Sequence, residues 1–169
     1  MSVALDVIPE EVSGDDSEFK TQYLKSLRMV ELLHRLLLDV IKDEFERLGR
    51  GDVNSVQALL LYNIGEAEVT AGELKSRGYY LGSNVSYNLK KLVDAGYIHH
   101  KRSQTDRRSV KVRLTDKGKD ICDVIDALYA RQLGSLEHVG GIAGDDLNTL
   151  NDTLFRLERF WADQIRYRL

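Results

Sequence analysis

Residues 97–118, YIHHKRSQTDRRSVKVRLTDKG, decide the fold of this chain. Two short extended stretches, 97–102 and 110–114, flank a polar tip at 103–109. In the second stretch valine and leucine alternate with lysine and arginine, and a period of two is typical of a strand with one buried face. The segment therefore predicts an antiparallel β-hairpin with a basic tip.

Upstream of this hairpin the sequence predicts three short helices. Asn54 with Gln57, and Thr70 with Glu73, have the spacing of a capping box, so a helix is expected to begin after each pair. The third helix covers roughly residues 81–95. Short helices followed by a two-stranded hairpin are typical of a winged helix-turn-helix, in which the third helix is exposed and can enter the major groove of DNA.

Long helices are predicted on both sides of this lobe. Apolar residues recur at three- and four-residue steps over 19–48, and another long helix opens after Thr115. The last helix, after the glycine-rich stretch 140–144, carries an apolar stripe that is too continuous for a lone surface helix. We expect this stripe to form a homodimer; the alternative is packing against the first helix of the same chain. Its predicted dimer residues are Leu150, Leu154, Leu157, Trp161 and Ile165.

The expected fold class is mainly α with a small β-hairpin wing: a winged helix-turn-helix lobe plus a long-helix dimerisation bundle. Residues 1–18, acidic and without a basic residue, are predicted to form a flexible arm. The helical dimerisation region is expected at 19–52 and 116–169, and the DNA-binding lobe at 53–115.

Charge is distributed unevenly along the chain. Lysine and arginine number 24 against 27 aspartate and glutamate, a net charge of −3. Between Thr70 and Lys119, however, twelve basic and four acidic residues give +8, which leaves −11 for the flanks. A basic middle between acidic ends predicts one positively charged surface that can bind a polyanion. The alternative is a basic face that contacts only solvent.

The exposed helix and the hairpin tip carry the residues that we expect to contact DNA: Ser83, Asn84, Ser86, Tyr87, Asn88, Lys90, Lys91, Arg107 and Arg108. The helix residues can meet base edges in the major groove, with the two lysines better placed for phosphates. An arginine at the tip can enter the narrow minor groove. We expect Asp106 to orient Arg108 rather than to contact DNA. For each helix residue the alternative is an ordinary polar surface side chain.

The segment Asp106–Gly118 resembles the wing signature of MarR-family transcriptional regulators, D-x-R leading into a strand and then Leu-Thr-x-x-Gly. Further residues agree with that family at the expected spacings: Gln57, Glu73, Leu74, Leu92, Asp94, Gly96 and Ile98. The resemblance implies a homodimer on a pseudo-palindromic operator, with Arg108 as the wing arginine, Asp106 as its partner, and a small, often aromatic ligand between bundle and lobe. The exposed helix has few arginines, so the operator sequence cannot be transferred.

Other classes of function find little support in the sequence. The single cysteine, Cys122, excludes an intramolecular disulfide and fits a cytoplasmic location; we expect it to be buried rather than redox-active. No apolar run has the length of a membrane span, and no catalytic, nucleotide-binding or metal-ligand pattern is present, so neither an enzyme nor a cofactor is expected.

The sequence thus predicts a sequence-specific, double-stranded DNA-binding transcriptional regulator, expected to repress, that binds as a homodimer and responds to a small ligand. One alternative is a winged-helix protein-interaction module without DNA binding, whose basic patch serves an acidic protein. A small hydrolase is the remaining alternative, and it would need a pocket of converging ionisable groups.

Overall fold

The computed structural model describes residues 14–76, 82–102 and 110–167. Helices and short strands follow one another in the order α1 Gly14–Arg47, α2 Ser55–Ile64, β1 Val69–Thr70, α3 Ala71–Ser76, α4 Gly82–Asp94, β2 Ile98–Arg102, β3 Val110–Leu114, α5 Asp116–Gly140 and α6 Gly144–Tyr167. This order confirms the expected mainly helical fold with a small β wing. The chain divides into two compact units, residues 1–59 and 60–169.

In the first unit, α1 begins at Gly14, within the arm predicted at 1–18. The prediction was therefore wrong for residues 14–18. Asp16 and Glu18 lie in the first turns of the helix, where carboxylates interact favourably with the positive end of the helix dipole. The rest of the predicted arm lies outside the described residues.

Within α1, burial is concentrated at the end of the helix. Between Asp16 and Val40 no side chain of α1 is buried, whereas Ile41, Glu44 and Phe45 are. The Glu44 carboxylate accepts two hydrogen bonds from Arg47, at 2.9 Å from Nε and 2.7 Å from Nη2. Most of α1 therefore leaves its apolar side chains exposed within the single chain.

The second unit contains the three-stranded sheet, in the order β1-β3-β2. All pairings are antiparallel, with Val69 opposite Val112 and Ile98 opposite Leu114. These four residues are buried, so one face of the sheet belongs to the core. The third strand of the sheet, β1, is only two residues long, Val69–Thr70.

Local hydrogen bonds fix where the helices begin. Both capping boxes are confirmed: the Gln57 amide donates to Asn54 Oδ1 at 2.8 Å, and the Glu73 amide donates to Thr70 Oγ1 at 3.0 Å. Gly96, at φ 79°, follows the end of α4 in the left-handed region that favours glycine. The two capping boxes fix where α2 and α3 begin, and the turn at Gly96 connects α4 to β2.

Candidate nucleic-acid interface

Helix α4 presents a polar and basic face. Ser86, Tyr87, Lys90 and Lys91 are exposed, and Tyr87 is 59% exposed. On the inner side, Leu89 and Leu92 are buried. The exposed face of α4 therefore has the hydroxyl and ammonium groups that bases and phosphates require.

Tyr87 and Lys91 contact one another on this face. The Lys91 Nζ lies 4.9 Å from the centre of the Tyr87 ring, one helical turn away. A cation over an aromatic ring restricts both side chains. Asn88, by contrast, is half-buried and interacts within the chain, so less of its amide is accessible than that of an exposed residue.

The remaining predicted DNA contacts are only partly described. Ser83 and Asn84 lie in the first turn of α4, and only their backbone is described. Asp106, Arg107 and Arg108 lie outside the described residues. Their roles stay predictions.

The base of the wing is tied to the end of α4 by Thr115. The Thr115 amide donates to the Tyr97 carbonyl at 3.0 Å, its hydroxyl donates to the Gly96 carbonyl at 2.8 Å, and that hydroxyl accepts from the Gly118 amide at 3.1 Å. One side chain thus caps α5 and joins two segments about twenty residues apart. This joint holds β3 and the end of α4 in a fixed relation.

Lys117 strengthens the same joint. Its Nζ donates to the Ala95 carbonyl at 3.0 Å and lies 4.1 Å from the centre of the Tyr97 ring, which is buried. The sequence counts Lys117 among the cations of the basic segment. The structure instead gives its ammonium group partners inside the lobe, a role that charge counting does not reveal.

The predicted dimer stripe on α6 is accessible. Leu150, Leu154, Trp161 and Ile165 are exposed at 49%, 40%, 37% and 80%, and Leu157 is half-buried. No residue of this 24-residue helix is buried. The apolar stripe therefore remains available in the single chain.

A cavity of about 430 Å³ lies in the second unit beside the start of α5. Tyr62, Cys122 and Asp126 are among its lining residues, together with the end of β3 at Leu114. The Tyr62 hydroxyl donates to Asp126 Oδ1 at 2.9 Å, which raises the pKa of that hydroxyl, and the Tyr62 ring meets Tyr129 edge to face at 5.4 Å. The cavity lining thus combines one aromatic ring, that of Tyr62, with carboxylates.

Cys122 is half-buried, less enclosed than the sequence predicted. Burial, with Asp126 and Asp123 nearby, raises the pKa of its thiol to about 11. We therefore expect iodoacetamide at pH 8 to alkylate Cys122 about 100-fold more slowly in the folded than in the unfolded protein, because the thiolate is the nucleophile.

The alkylation rates can be measured by mass spectrometry in buffer and in denaturant. Equal rates would contradict the raised pKa. They would also make a redox role for this cysteine worth testing.

The described part of the chain has neither a membrane-spanning helix nor a cluster of metal ligands. None of its helices has a stretch apolar enough to cross a bilayer. Within residues 14–76, 82–102 and 110–167, no three His, Cys, Asp or Glu side chains are arranged to hold a metal ion.

Comparison with known proteins adds to this geometry. A family model of the winged helix DNA-binding domain matches residues 53–118. Over 163 residues the chain is 38% identical to the exopolysaccharide II synthesis transcriptional activator ExpG of Rhizobium meliloti, covering 96% of this chain and 82% of that protein.

Solved structures are similar in fold. A mutant MarR from E. coli complexed with operator DNA has a TM-score of 0.62 at 22% identity, covering 80% of this chain and 95% of that one. A MarR protein from Peptoclostridium difficile has a TM-score of 0.68 at 15% identity, covering 100% of this chain and 99% of that one. At these identities the likeness concerns the fold alone.

Proposed function

Because the chain belongs to the MarR family of winged helix-turn-helix, DNA-binding transcriptional regulators, we propose that it binds a pseudo-palindromic operator in duplex DNA as a homodimer and responds to a small ligand. The observation that carries the proposal is the face of α4 with exposed Tyr87, Lys90 and Lys91 opposite buried Leu89 and Leu92. A groove about 12 Å wide admits one helix, and this helix offers it hydrogen-bonding groups.

The proposed DNA contacts divide into two groups. On α4, Ser83, Asn84, Ser86, Tyr87 and Asn88 face bases, and Lys90 and Lys91 bind phosphates. On the wing, Arg107 and Arg108 enter the minor groove and Asp106 orients Arg108. The E. coli MarR mutant, which is similar in fold, was solved in complex with operator DNA, and this supports DNA as the partner here.

The exposed stripe of α6 supports the proposed homodimer. Apolar side chains such as Leu154 and Trp161 gain about 25 cal/mol for each Å² removed from water. When one lobe of the dimer is bound, the other is held near the second half-site at a high effective concentration, which raises the overall affinity. We propose half-sites about one helical turn of DNA apart.

The direction of regulation is proposed to be activation. From sequence we expect repression, but the relative that covers most of this chain is named a transcriptional activator. Its name supports activation here. An in vitro transcription assay with the operator placed upstream of a promoter would decide between the two directions.

The cavity beside Tyr62 and Cys122 is the proposed site of the small ligand. Its volume of about 430 Å³ lies in the range of small-molecule pockets, and Tyr62 offers a ring to an aromatic effector. Since the cavity adjoins both β3 and α5, a bound ligand can shift the wing relative to α5. We expect a coupling of about 1–3 kcal/mol between ligand and operator.

Selection of duplexes from a random pool tests the proposed function. Enrichment of one palindromic site is the expected result. Binding without sequence preference would contradict it and favour the winged-helix protein-interaction module. Because a DNA-binding regulator works where the chromosome lies, we place the protein in the cytoplasm.

Arg108→Ala is expected to weaken binding to the selected site about tenfold, since an arginine in the minor groove contributes roughly 1–3 kcal/mol. The free energy of unfolding should be unchanged. Fluorescence anisotropy with labelled duplex measures the affinity. Lys42→Ala is the control, because Lys42 is an exposed lysine of α1 whose Nζ lies 3.6 Å from Oε1 of the equally exposed Glu46. Equal affinity for wild type and Arg108→Ala would remove the wing from the binding mode.

A further inference from the structure

The solvent face of the three-stranded sheet is strongly basic. Side chains alternate between the two faces of a strand, and Ile98, Val112 and Leu114 are buried on one of them. The opposite face carries four exposed residues that we call the outer sheet face: His99, Lys101, Lys111 and Arg113. The proposed function assigns no role to any of them.

The strand register brings these residues together in directly opposed pairs. Lys101 lies opposite Lys111, and His99 lies opposite Arg113. Opposed residues of an antiparallel pair have Cβ atoms about 5 Å apart, and like charges in that position are destabilising. The Lys101–Lys111 pair therefore places two positive charges side by side on this face.

The Glu68 carboxylate lies among these cations. The Lys111 Nζ contacts Glu68 Oε1 at 2.9 Å, with both side chains about half exposed. The pair lowers the pKa of the Glu68 carboxyl, and Lys101 and Arg113 lower it further. Three cations thus act on the Glu68 carboxylate, and Glu73 also acts on Lys111, so three positive charges face two negative ones and the excess is positive.

A face with excess positive charge and exposed nitrogen donors fits a row of phosphates. We propose that the outer sheet face binds phosphates of the duplex beyond the segment read by α4, with Glu68 holding Lys111 in the absence of DNA. The proposal rests on the proposed function. DNA is favoured over an acidic protein because the face lies on the two strands that the segment 103–109, with the proposed DNA contacts Arg107 and Arg108, joins along the chain.

The position of the face indicates which phosphates it meets. The buried side chains of β2 and β3 and the buried Leu89 and Leu92 of α4 belong to the core side, away from the outer sheet face. A duplex held in its groove by α4 therefore reaches Lys101 and Arg113 only where it extends past the wing. The contact should depend on the length of DNA flanking the operator.

The test uses the full chain, the selected operator and two duplexes, one ending at the operator and one extended by about ten base pairs, one helical turn, on each side. Lys101→Ala/Arg113→Ala should lower affinity about tenfold on the long duplex and less than about twofold on the short one. On the long duplex the slope of log affinity against log salt should fall by about 2. Lys42→Ala, the exposed lysine of α1, should change neither quantity.

The variant Glu68→Gln distinguishes a role in DNA binding from a purely structural role of the Glu68–Lys111 pair, because only the first role changes the affinity for DNA. Removing the carboxylate frees Lys111 for phosphate, so affinity for the long duplex should rise about threefold or more. If the Glu68–Lys111 pair served only the sheet, affinity would stay the same while thermal stability fell slightly.

The outcomes separate the two proposals. A wild-type protein that selects no palindrome overturns both. A wild type that selects one, with the double variant unchanged on the long duplex, overturns only the present inference and leaves an acidic protein as the partner of this face. Equal losses on both duplexes also overturn it, because the phosphates would then lie inside the operator.

Discussion

Replacing Gly118 with alanine is expected to lower the free energy of unfolding by about 3 kcal/mol, the largest effect on stability that we predict for a single methyl group. A Cβ at this position would overlap the carbonyl oxygen of Tyr97 and lie 3.3 Å from Leu114 Cδ2. The oxygen belongs to the backbone and accepts the hydrogen bond from the Thr115 amide, so it cannot move aside without breaking the joint between β3 and the end of α4. The close approach, rather than an unusual φ, requires glycine here.

The same helix offers a matched control. A Cβ at Gly134 would meet nothing within 4 Å, and Gly134 is exposed in the interior of α5. Alanine is favoured over glycine in such a position by about 1 kcal/mol, so Gly134→Ala should stabilise the protein. The same substitution in one helix is therefore expected to lower the free energy of unfolding at Gly118 and to raise it at Gly134.

Urea denaturation followed by circular dichroism, at one fixed protein concentration, measures both effects. Gly118→Ala should move the midpoint to lower urea, and Gly134→Ala to higher urea. Gly118→Ala should also weaken operator binding, since the displaced wing no longer lies beside α4. A variant Gly118→Ala as stable as wild type would contradict the tight packing against Tyr97.

The elements predicted well from sequence are those set by neighbouring residues. A capping box needs only two side chains three residues apart, so Asn54 with Gln57 and Thr70 with Glu73 could be identified directly, and both form. Likewise, the alternation in Val110–Leu114 depends on one strand alone. The resemblance to MarR regulators adds the arrangement of these pieces, which the solved structures bear out as a fold.

Long-range pairings could not be predicted in the same way. The sequence counts Lys111 and Lys117 equally toward a charge of +8, yet the structure pairs Lys111 with Glu68, 43 residues away, and Lys117 with the carbonyl of Ala95. Which cations face DNA depends on the register of the sheet. The alternating pattern predicts the hairpin of β2 and β3, but it does not predict that β1 pairs with β3. Asn88 illustrates the same limit on α4, because its angle on the helix does not decide how much of it neighbouring elements cover.

The double substitution Leu154→Asp/Leu157→Asp is expected to give a monomer and to weaken operator binding about 100-fold or more. Both residues lie in the apolar stripe of α6, where Leu154 is 40% exposed in the single chain. In the proposed dimer these positions are covered, and burying two carboxylates in an apolar interface costs far more than the lost contacts. Secondary structure should be retained, because no residue of α6 is buried in the isolated chain.

Arg159→Asp is the matched control for this variant. It changes the net charge by the same −2, but Arg159 is exposed and lies about 140° around the helix from Leu154. We expect it to remain dimeric in light scattering at concentrations where the double variant is a monomer. A double variant that stays dimeric would assign the dimer to another surface.

The residual binding of the monomer distinguishes loss of dimerisation from loss of the DNA-binding surface. Its lobe keeps Tyr87, Lys90 and Lys91 on α4, so it should still bind duplex weakly, with a salt dependence about half as steep as that of the dimer because half the phosphate contacts remain. If the affinity fell while the salt slope of the dimer persisted, the two substitutions would have altered the lobe rather than separated two copies of it. Measuring the slope together with the mass therefore tests the dimer as the source of operator affinity.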